Sequence, residues 1–192
     1  MSALRLEDLT IARRHRLAGV RLVLTDCDGV LTDAGIYYSA EGEALRRFSV
    51  RDGMGVERLR TLAGIDTIIV TREDSPIVSR RAAKLGIEAL LGIRDKLVQV
   101  AALVAARGVA LSECAYIGDD VNDLALLEAV GFSACPADAE PEVLGAVDFV
   151  CRRRGGHGAF RELAEVILAA RSSPSIPTPR TRSSHAAHSR TP

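Results

Sequence analysis

Residues 20–33 read Val20-Arg21-Leu22-Val23-Leu24-Thr25-Asp26-Cys27-Asp28-Gly29-Val30-Leu31-Thr32-Asp33, and this stretch decides the fold. Val20–Thr25 is a short, nearly continuous apolar run, the pattern of a strand covered on both faces. It runs into two carboxylates set two residues apart. A buried strand does not finish in charge unless something pairs with that charge. Residues i and i+2 of an extended chain face the same way, so Asp26 and Asp28 can converge on one point as the strand ends. Gly29 then lets the chain turn away.

Further along the chain the same kind of strand recurs. Ile65–Thr71, Glu88–Leu91, Cys114–Ile117, Phe132–Ala134 and Val147–Val150 read as strands; Val56–Ala63, Ile77–Leu85, Lys96–Arg107 and Leu124–Ala129 read as helices between them. Several helices stop at a glycine (Gly64, Gly86, Gly108, Gly131), where a left-handed cap costs least. Apolar strands alternating with helices predict an α/β fold, a doubly wound, Rossmann-like parallel sheet. Such folds carry their sites at the carboxyl ends of the strands. One segment breaks the alternation. Gly35–Val50 has two strand-like pieces around Glu41-Gly42 and reads as a β-hairpin flap over the end of the first strand.

A second acidic run, Gly118-Asp119-Asp120-Val121-Asn122-Asp123, follows the strand at 114–117. A parallel sheet delivers that strand's end to the same edge, so Asp26, Asp28 and Asp119 can surround one cation. Oxygen ligands without His or Cys favour Mg²⁺ over zinc. Thr71 brings a hydroxyl to this edge and Lys96 a positive charge. Carboxylates, Mg²⁺, a hydroxyl and a lysine are the parts phosphoryl transfer uses.

Composition narrows the setting. The 192 residues carry 25 Lys+Arg and 25 Asp+Glu, a net charge of zero, which argues against a dedicated nucleic-acid binder. Residues 172–192 hold three of the arginines and no acid, so residues 1–171 hold 22 basic against 25 acidic groups, a net of −3. That division predicts one domain over 1–171 and a basic, Pro- and Ser-rich tail over 172–192, too polar to order. No apolar run is long enough for a membrane span, and the acidic N-terminal segment is not a signal peptide. Cys27, Cys114, Cys135 and Cys151 lack metal-binding spacing, which suits a reducing cytoplasm.

The pattern Asp26-x-Asp28-x-Val30, then Thr71, Lys96 and the acidic run at 119–123, resembles the haloacid dehalogenase superfamily of phosphatases. The resemblance implies that Asp26 is the nucleophile and Asp28 the general acid and base. It implies that Thr71 and Lys96 hold the phosphoryl oxygens. Mg²⁺ would sit on the carboxylates of Asp26 and Asp119 and the backbone carbonyl of Asp28, with Asn122 and Asp123 orienting the metal shell or Lys96. Three further segments are similar to one subgroup: Asp28-Gly29-Val30-Leu31-Thr32-Asp33, Arg51-Asp52-Gly53-Met54-Gly55, and Arg154-Gly155-Gly156-His157-Gly158. This subgroup comprises 3-deoxy-octulosonate (KDO) 8-phosphate phosphatases, nonulosonate 9-phosphate phosphatases, and phosphatase-like domains attached to acylneuraminate cytidylyltransferases. Its members lack a cap domain and form homotetramers through their hairpins, with a C-terminal segment reaching a neighbour's site. Here the 25 positions from Thr71 to Lys96 leave no room for a cap.

Glu73, two residues after Thr71, with Lys84 eleven further on, resembles the nonulosonate branch, where these two residues contact the sugar acid. Gly53 joins them as an expected substrate neighbour. Arg72 stands where both branches have Gly. Tyr37 and Tyr38 fit a hairpin or subunit contact, and His157 a loop. A competing expectation is a phosphoacceptor or oligomerisation module of cytidylyltransferase function, against which Asp28 stands as an acid/base that a long-lived phosphorylated state would not want.

Overall fold

The computed structural model describes residues 9–172; the expected tail lies almost wholly outside the described residues. In chain order the elements are α1 (Ile11–Ala18), β1 (Leu22–Thr25), β2 (Thr32–Ser39), β3 (Gly42–Phe48), α2 (Val50–Ala63), β4 (Asp66–Val70), α3 (Pro76–Leu85) and β5 (Glu88–Leu90). They continue with α4 (Lys96–Ala106), β6 (Cys114–Ile117), α5 (Leu124–Ala129), β7 (Phe132–Cys135), α6 (Pro141–Leu144), β8 (Phe149–Val150) and α7 (Ala159–Ser172).

Six strands form one parallel sheet in the order β5-β4-β1-β6-β7-β8. Each buried strand alternates its side chains between two cores, as the pleat requires. Leu22, Leu24, Ile68, Val70, Cys114 and Tyr116 pack with Val100 and Val104 of α4, Leu127 of α5 and Val143 of α6. Val23, Ile69, Ala115 and Ile117 face the other way, onto Leu17 of α1, Leu59 of α2, Val78 of α3 and Leu163 of α7. The central strands of the sheet are therefore largely apolar on both faces, which is why the sequence shows little alternation there.

The chain leaves β1 towards β4 and β5 on one side, then returns to β6 on the other. The β1–β6 seam is the switch point at which such sheets bind ligands. Register aligns Thr25 with Ile69 and Ile117. Asp26, Thr71 and Asp119 follow within two residues of those partners and reach one edge together. β2 and β3 pair antiparallel in a separate two-stranded sheet over that edge. The hairpin is the insertion between β1 and α2, and α3 is all that separates β4 from β5; among the described residues no cap domain is present.

The expected elements exist, with differences at their edges. The helix expected from Val56 begins at Val50, capped by the Ser49 hydroxyl, which accepts from the Arg51 N–H at 3.1 Å. Gly53 and Gly55 look like breakers in sequence. In the fold a Cβ on Gly55 would come within 3.0 Å of the Arg161 Cα, so the position serves close packing of α2 on α7. Helices α1, α6 and α7 were not expected: α1 is dense in arginine, α6 is four residues long, and the start of α7 is masked by the glycines before it.

Candidate active site

The extension of β1 sets the first carboxylate. Asp26 still donates its backbone N–H to Ile117 at 2.9 Å, so it is held as a sheet residue although its side chain has left the core. Its Oδ1 accepts from the Cys27 N–H at 2.7 Å and pairs with Lys96 Nζ at 2.9 Å. Lys96 is the first residue of α4, whose N-cap, Asp95, accepts from the Val98 N–H at 3.1 Å. The cap points the lysine back into the sheet edge, where it is buried.

Lys96 has a second carboxylate, Asp123 Oδ1, at 2.6 Å, and donates to the Tyr116 hydroxyl at 3.2 Å. Tyr116 in turn donates to Asp123 Oδ1. The other Asp123 oxygen accepts the Asp119 N–H at 2.9 Å. Asp123 is therefore fully buried with donors on both oxygens, holding Lys96 and shaping the 118–123 loop. Gly118 leaves space for it: a Cβ there would lie 2.4 Å from Asp123 Oδ2. Burial alone would lower the Lys96 pKa, but Asp26 and Asp123 outweigh it and the net shift is upward, so the lysine stays charged.

Asp26, Asp119 and Asp123 offer carboxylate oxygens all within 4.8 Å of one another. Burial first, then Asp123, pushes the Asp26 carboxyl up to about 7, with Lys96 opposing. Burial, then Asp26 and Asp123, raises Asp119 to about 8. Too much negative charge sits together with one lysine against it. The donor set fits a hard divalent cation. Asp119 makes no side-chain hydrogen bond among the described residues, and Asp26 has one oxygen outside its hydrogen bonds. Gly29 keeps the space open: with φ +77° it turns as few other residues can, and a Cβ there would lie 1.8 Å from Asp119 Oδ2. Asp123 belongs to the cluster by distance, but its lone pairs are taken.

The Asp28 side chain does not join this group. It turns to the hairpin, where both its oxygens meet Arg46 Nη1 and one accepts from the Thr32 hydroxyl at 3.3 Å. Thr71 is buried after β4, its Oγ1 accepting from the Glu73 N–H at 3.2 Å. The Thr71 carbonyl accepts from the Ile93 N–H at 2.9 Å, tying this loop to the one that leads into α4. Between them opens a cleft of about 620 Å³ lined by Asp26, Asp28, Thr71, Glu73 and Asp119, with Arg72 and Arg94 on its wall.

Two expected substrate contacts lie elsewhere. Lys84 sits exposed in the last turn of α3, whose start, not its end, faces the cleft, and it does not line that cleft. Gly53 packs on α3, where a Cβ would lie 2.9 Å from Arg81 Nη2. Glu73 does reach the cleft, paired with Arg46 Nη2 at 3.4 Å. Cys27, between the two aspartates, is buried with its pKa pushed up by burial and then by Asp28 and Asp26; it is no nucleophile.

Sequence reasoning missed Arg46, Tyr116 and Arg94. A hydrophilic residue on the inward side of a hairpin strand was the available signal for Arg46. Tyr116 reads as an ordinary core residue, and nothing marked Arg94.

A family model for haloacid dehalogenase-like hydrolases matches residues 91–163. The 3-deoxy-D-manno-octulosonate 8-phosphate phosphatase of Haemophilus influenzae is 43% identical over 164 residues, 85% of this chain and 91% of that protein. The enzyme of that name from Escherichia coli K12 is 40% identical over 152 residues, 79% of this chain and 80% of that one. The cobalt-bound Haemophilus structure aligns with a TM-score of 0.78 at 44% identity, covering 81% of this chain and 91% of that one. The Moraxella catarrhalis enzyme, in complex with magnesium, phosphate and KDO, aligns at 0.79 and 37%, covering 82% and 90%. With the six-stranded sheet, the flap and the acidic edge, these likenesses establish that the chain belongs to the haloacid dehalogenase-like hydrolases, in their capless octulosonate 8-phosphate phosphatase branch.

Proposed function

We propose that this chain is a Mg²⁺-dependent phosphomonoesterase acting on a 3-deoxy-2-keto sugar-acid phosphate. The observation that carries the reading is the buried Asp26 carboxylate held by Lys96 at the mouth of a cleft it shares with Asp28 and Thr71. Asp26 Oδ attacks phosphorus and the ester oxygen leaves, forming an aspartyl-phosphate. Asp28 donates a proton to the leaving alkoxide, then takes one from the water that cleaves the acyl phosphate. Lys96 and the Thr71 hydroxyl hold the phosphoryl oxygens as charge builds. Asp26, Asp119 and the Asp28 carbonyl would hold a divalent ion, which would supply the remaining neutralisation of the phosphate's charge. Arg72 and Arg94, without an ion pair among the described residues, give the cleft wall positive charge suited to a second anionic group such as a sugar-acid carboxylate.

Octulosonate 8-phosphate is the first candidate because the named relatives act on it. The nonulosonate alternative rested on Glu73 with Lys84, and Lys84 is not at the cleft of its own chain. The expected homotetramer has support in the exposed apolar residues of the flap and the start of α2: Tyr38 at 72%, Leu45 at 65% and Val50 at 82% exposure. A cytoplasmic setting is supported by four buried cysteines, all unpaired, and no helix of the described residues is long and apolar enough to cross a membrane.

The test is phosphate release from octulosonate 8-phosphate and from a nonulosonate 9-phosphate, with and without Mg²⁺. The octulosonate ester is expected to be the better substrate, with loss of turnover on chelation. Asp26→Asn should lower turnover by about 10³-fold or more while the fold persists, in the range for loss of a covalent nucleophile. Full turnover in that variant would remove the nucleophile assignment, and a phosphorylated protein that never releases phosphate would favour the phosphoacceptor reading.

A further inference from the structure

Arg46 is the most enclosed charge of the hairpin: its side chain is 0% exposed. A guanidinium does not stay buried without partners on its fork. Arg46 has three carboxylates. Nη1 meets both oxygens of Asp28, Nε meets Glu43 of the same strand, and Nη2 meets Glu73 at 3.4 Å. Glu43 also accepts from the hydroxyl of Ser75, the N-cap of α3, at 3.2 Å. The network thus joins the flap, the loop after β4 and the carboxylate two residues past Asp26. Apart from Arg46, Asp28 has one polar side-chain contact, the long one from Thr32. What keeps it away from Asp26, Asp119 and Asp123 is therefore the arginine.

We propose that Arg46 is the positioning residue for Asp28, holding that carboxylate on the flap side of the cleft, where a leaving group departs, and off the acidic cluster. The proposal rests on the phosphomonoesterase reading above. Position, not charge alone, is what Arg46 supplies: Glu43 and Glu73 fix two edges of the guanidinium, so the third can present Asp28 in one orientation. General acid catalysis depends on that orientation, and depends on it most when the leaving group is poor.

The experiment compares the full-length protein and its variants on a series of aryl phosphates, from p-nitrophenyl to phenyl, in Mg²⁺. None carries a sugar-acid carboxylate, so substrate recognition by the arginine drops out. Arg46→Met should lower kcat/KM on phenyl phosphate about ten times more than on p-nitrophenyl phosphate, within the range of general acid effects. Asp28→Asn should steepen the series in the same way, and the double variant should add nothing further to Asp28→Asn. Arg46→Lys, which keeps the charge but cannot span Asp28 and Glu43 together, should fall between Arg46→Met and the unmodified protein. Equal loss on every ester, or full additivity with Asp28→Asn, would overturn the proposal. Should Arg46→Met not fold, Arg46→Lys decides, and an unchanged slope there overturns it. Absence of turnover on all esters by the unmodified protein would instead sink the phosphomonoesterase reading.

Discussion

At the residue scale the site is a problem in crowded negative charge. Asp26 at about 7 and Asp119 at about 8 lie well above the ordinary carboxylate value of 3.8, chiefly through burial, then through Asp123 for Asp26 and through Asp26 and Asp123 for Asp119. The folded chain therefore binds protons that the unfolded chain releases above that ordinary value. Their contribution to stability is fully present below it and is lost as pH rises towards 7 and 8. Chelated protein should melt lower at about pH 8.5 than at about pH 5. Excess Mg²⁺ should raise Tm by roughly 5 °C more at the higher pH, since a cation competes with those protons. A thermal melt in both buffers checks this, and an equal Mg²⁺ shift at both would refute it. Gly29→Ala makes the converse point by sterics. Its Cβ would overlap Asp119 Oδ2 at 1.8 Å in a backbone of φ +77°. We expect roughly 10²-fold loss of turnover, given that displacements of about 1 Å cost that much, and weaker Mg²⁺ protection against melting.

At the element scale, two segments that read as a family signature turn out to be structural. Asp52, in the first turn of α2, is almost fully buried and accepts the N–H groups of Gly158 at 3.2 Å and Arg161 at 3.0 Å at the start of α7. It satisfies donors that a helix start leaves open, from another helix. Gly155 and Gly156 then pass against the loop after β1: Gly156 donates to the Val30 carbonyl at 2.9 Å, and a Cβ on Gly155 would lie 1.8 Å from the Gly29 oxygen. The loop before α7 thus braces the loop that carries Asp28. Asp52→Ala should cost about 1–2 kcal/mol and a few degrees of Tm, read by denaturant titration, with kcat per folded molecule little changed. An unaltered midpoint would show that the cap does not matter. The helix spans between strands were legible in sequence because apolar period and the glycine stops at Gly64, Gly86 and Gly108 agree. Gly131 is no left-handed cap, since α5 ends on an extended Val130 and Gly131 instead packs against the Ser112 carbonyl. The start of α2 was not, because a helical glycine used for close packing cannot be told from a breaker without its neighbour.

At the scale of the whole molecule, the flap carries the exposed apolar side chains on which the proposed homotetramer rests. It lines the cleft with Ala34 and Ile36, buries Arg46 against Asp28, and shows Tyr38 and Leu45 outward. Burying such side chains in a subunit contact stabilises by roughly 1.5–3 kcal/mol each. Leu45→Glu should shift the sedimenting mass from an oligomer towards 20.5 kDa and lower kcat/KM, if the flap is held in place by its neighbours. A monomeric mass for the unmodified protein would remove the tetramer.

The sequence alone determined the strand order of events: apolar runs ending in Asp26, Thr71 and Asp119, a flap after the first, and a lysine two strands later. Those are local patterns, read by period and by the rule that a buried strand does not end in charge unpaired. Which carboxylates meet was decided by tertiary structure. The sheet register brought Asp26 and Asp119 to one edge, and α4 swung Lys96 onto Asp26 and Asp123. The hairpin's fold took the Asp28 side chain to Arg46, and the length of α3 carried Lys84 away. Side-chain pairing across elements depends on distances that no spacing along one chain encodes.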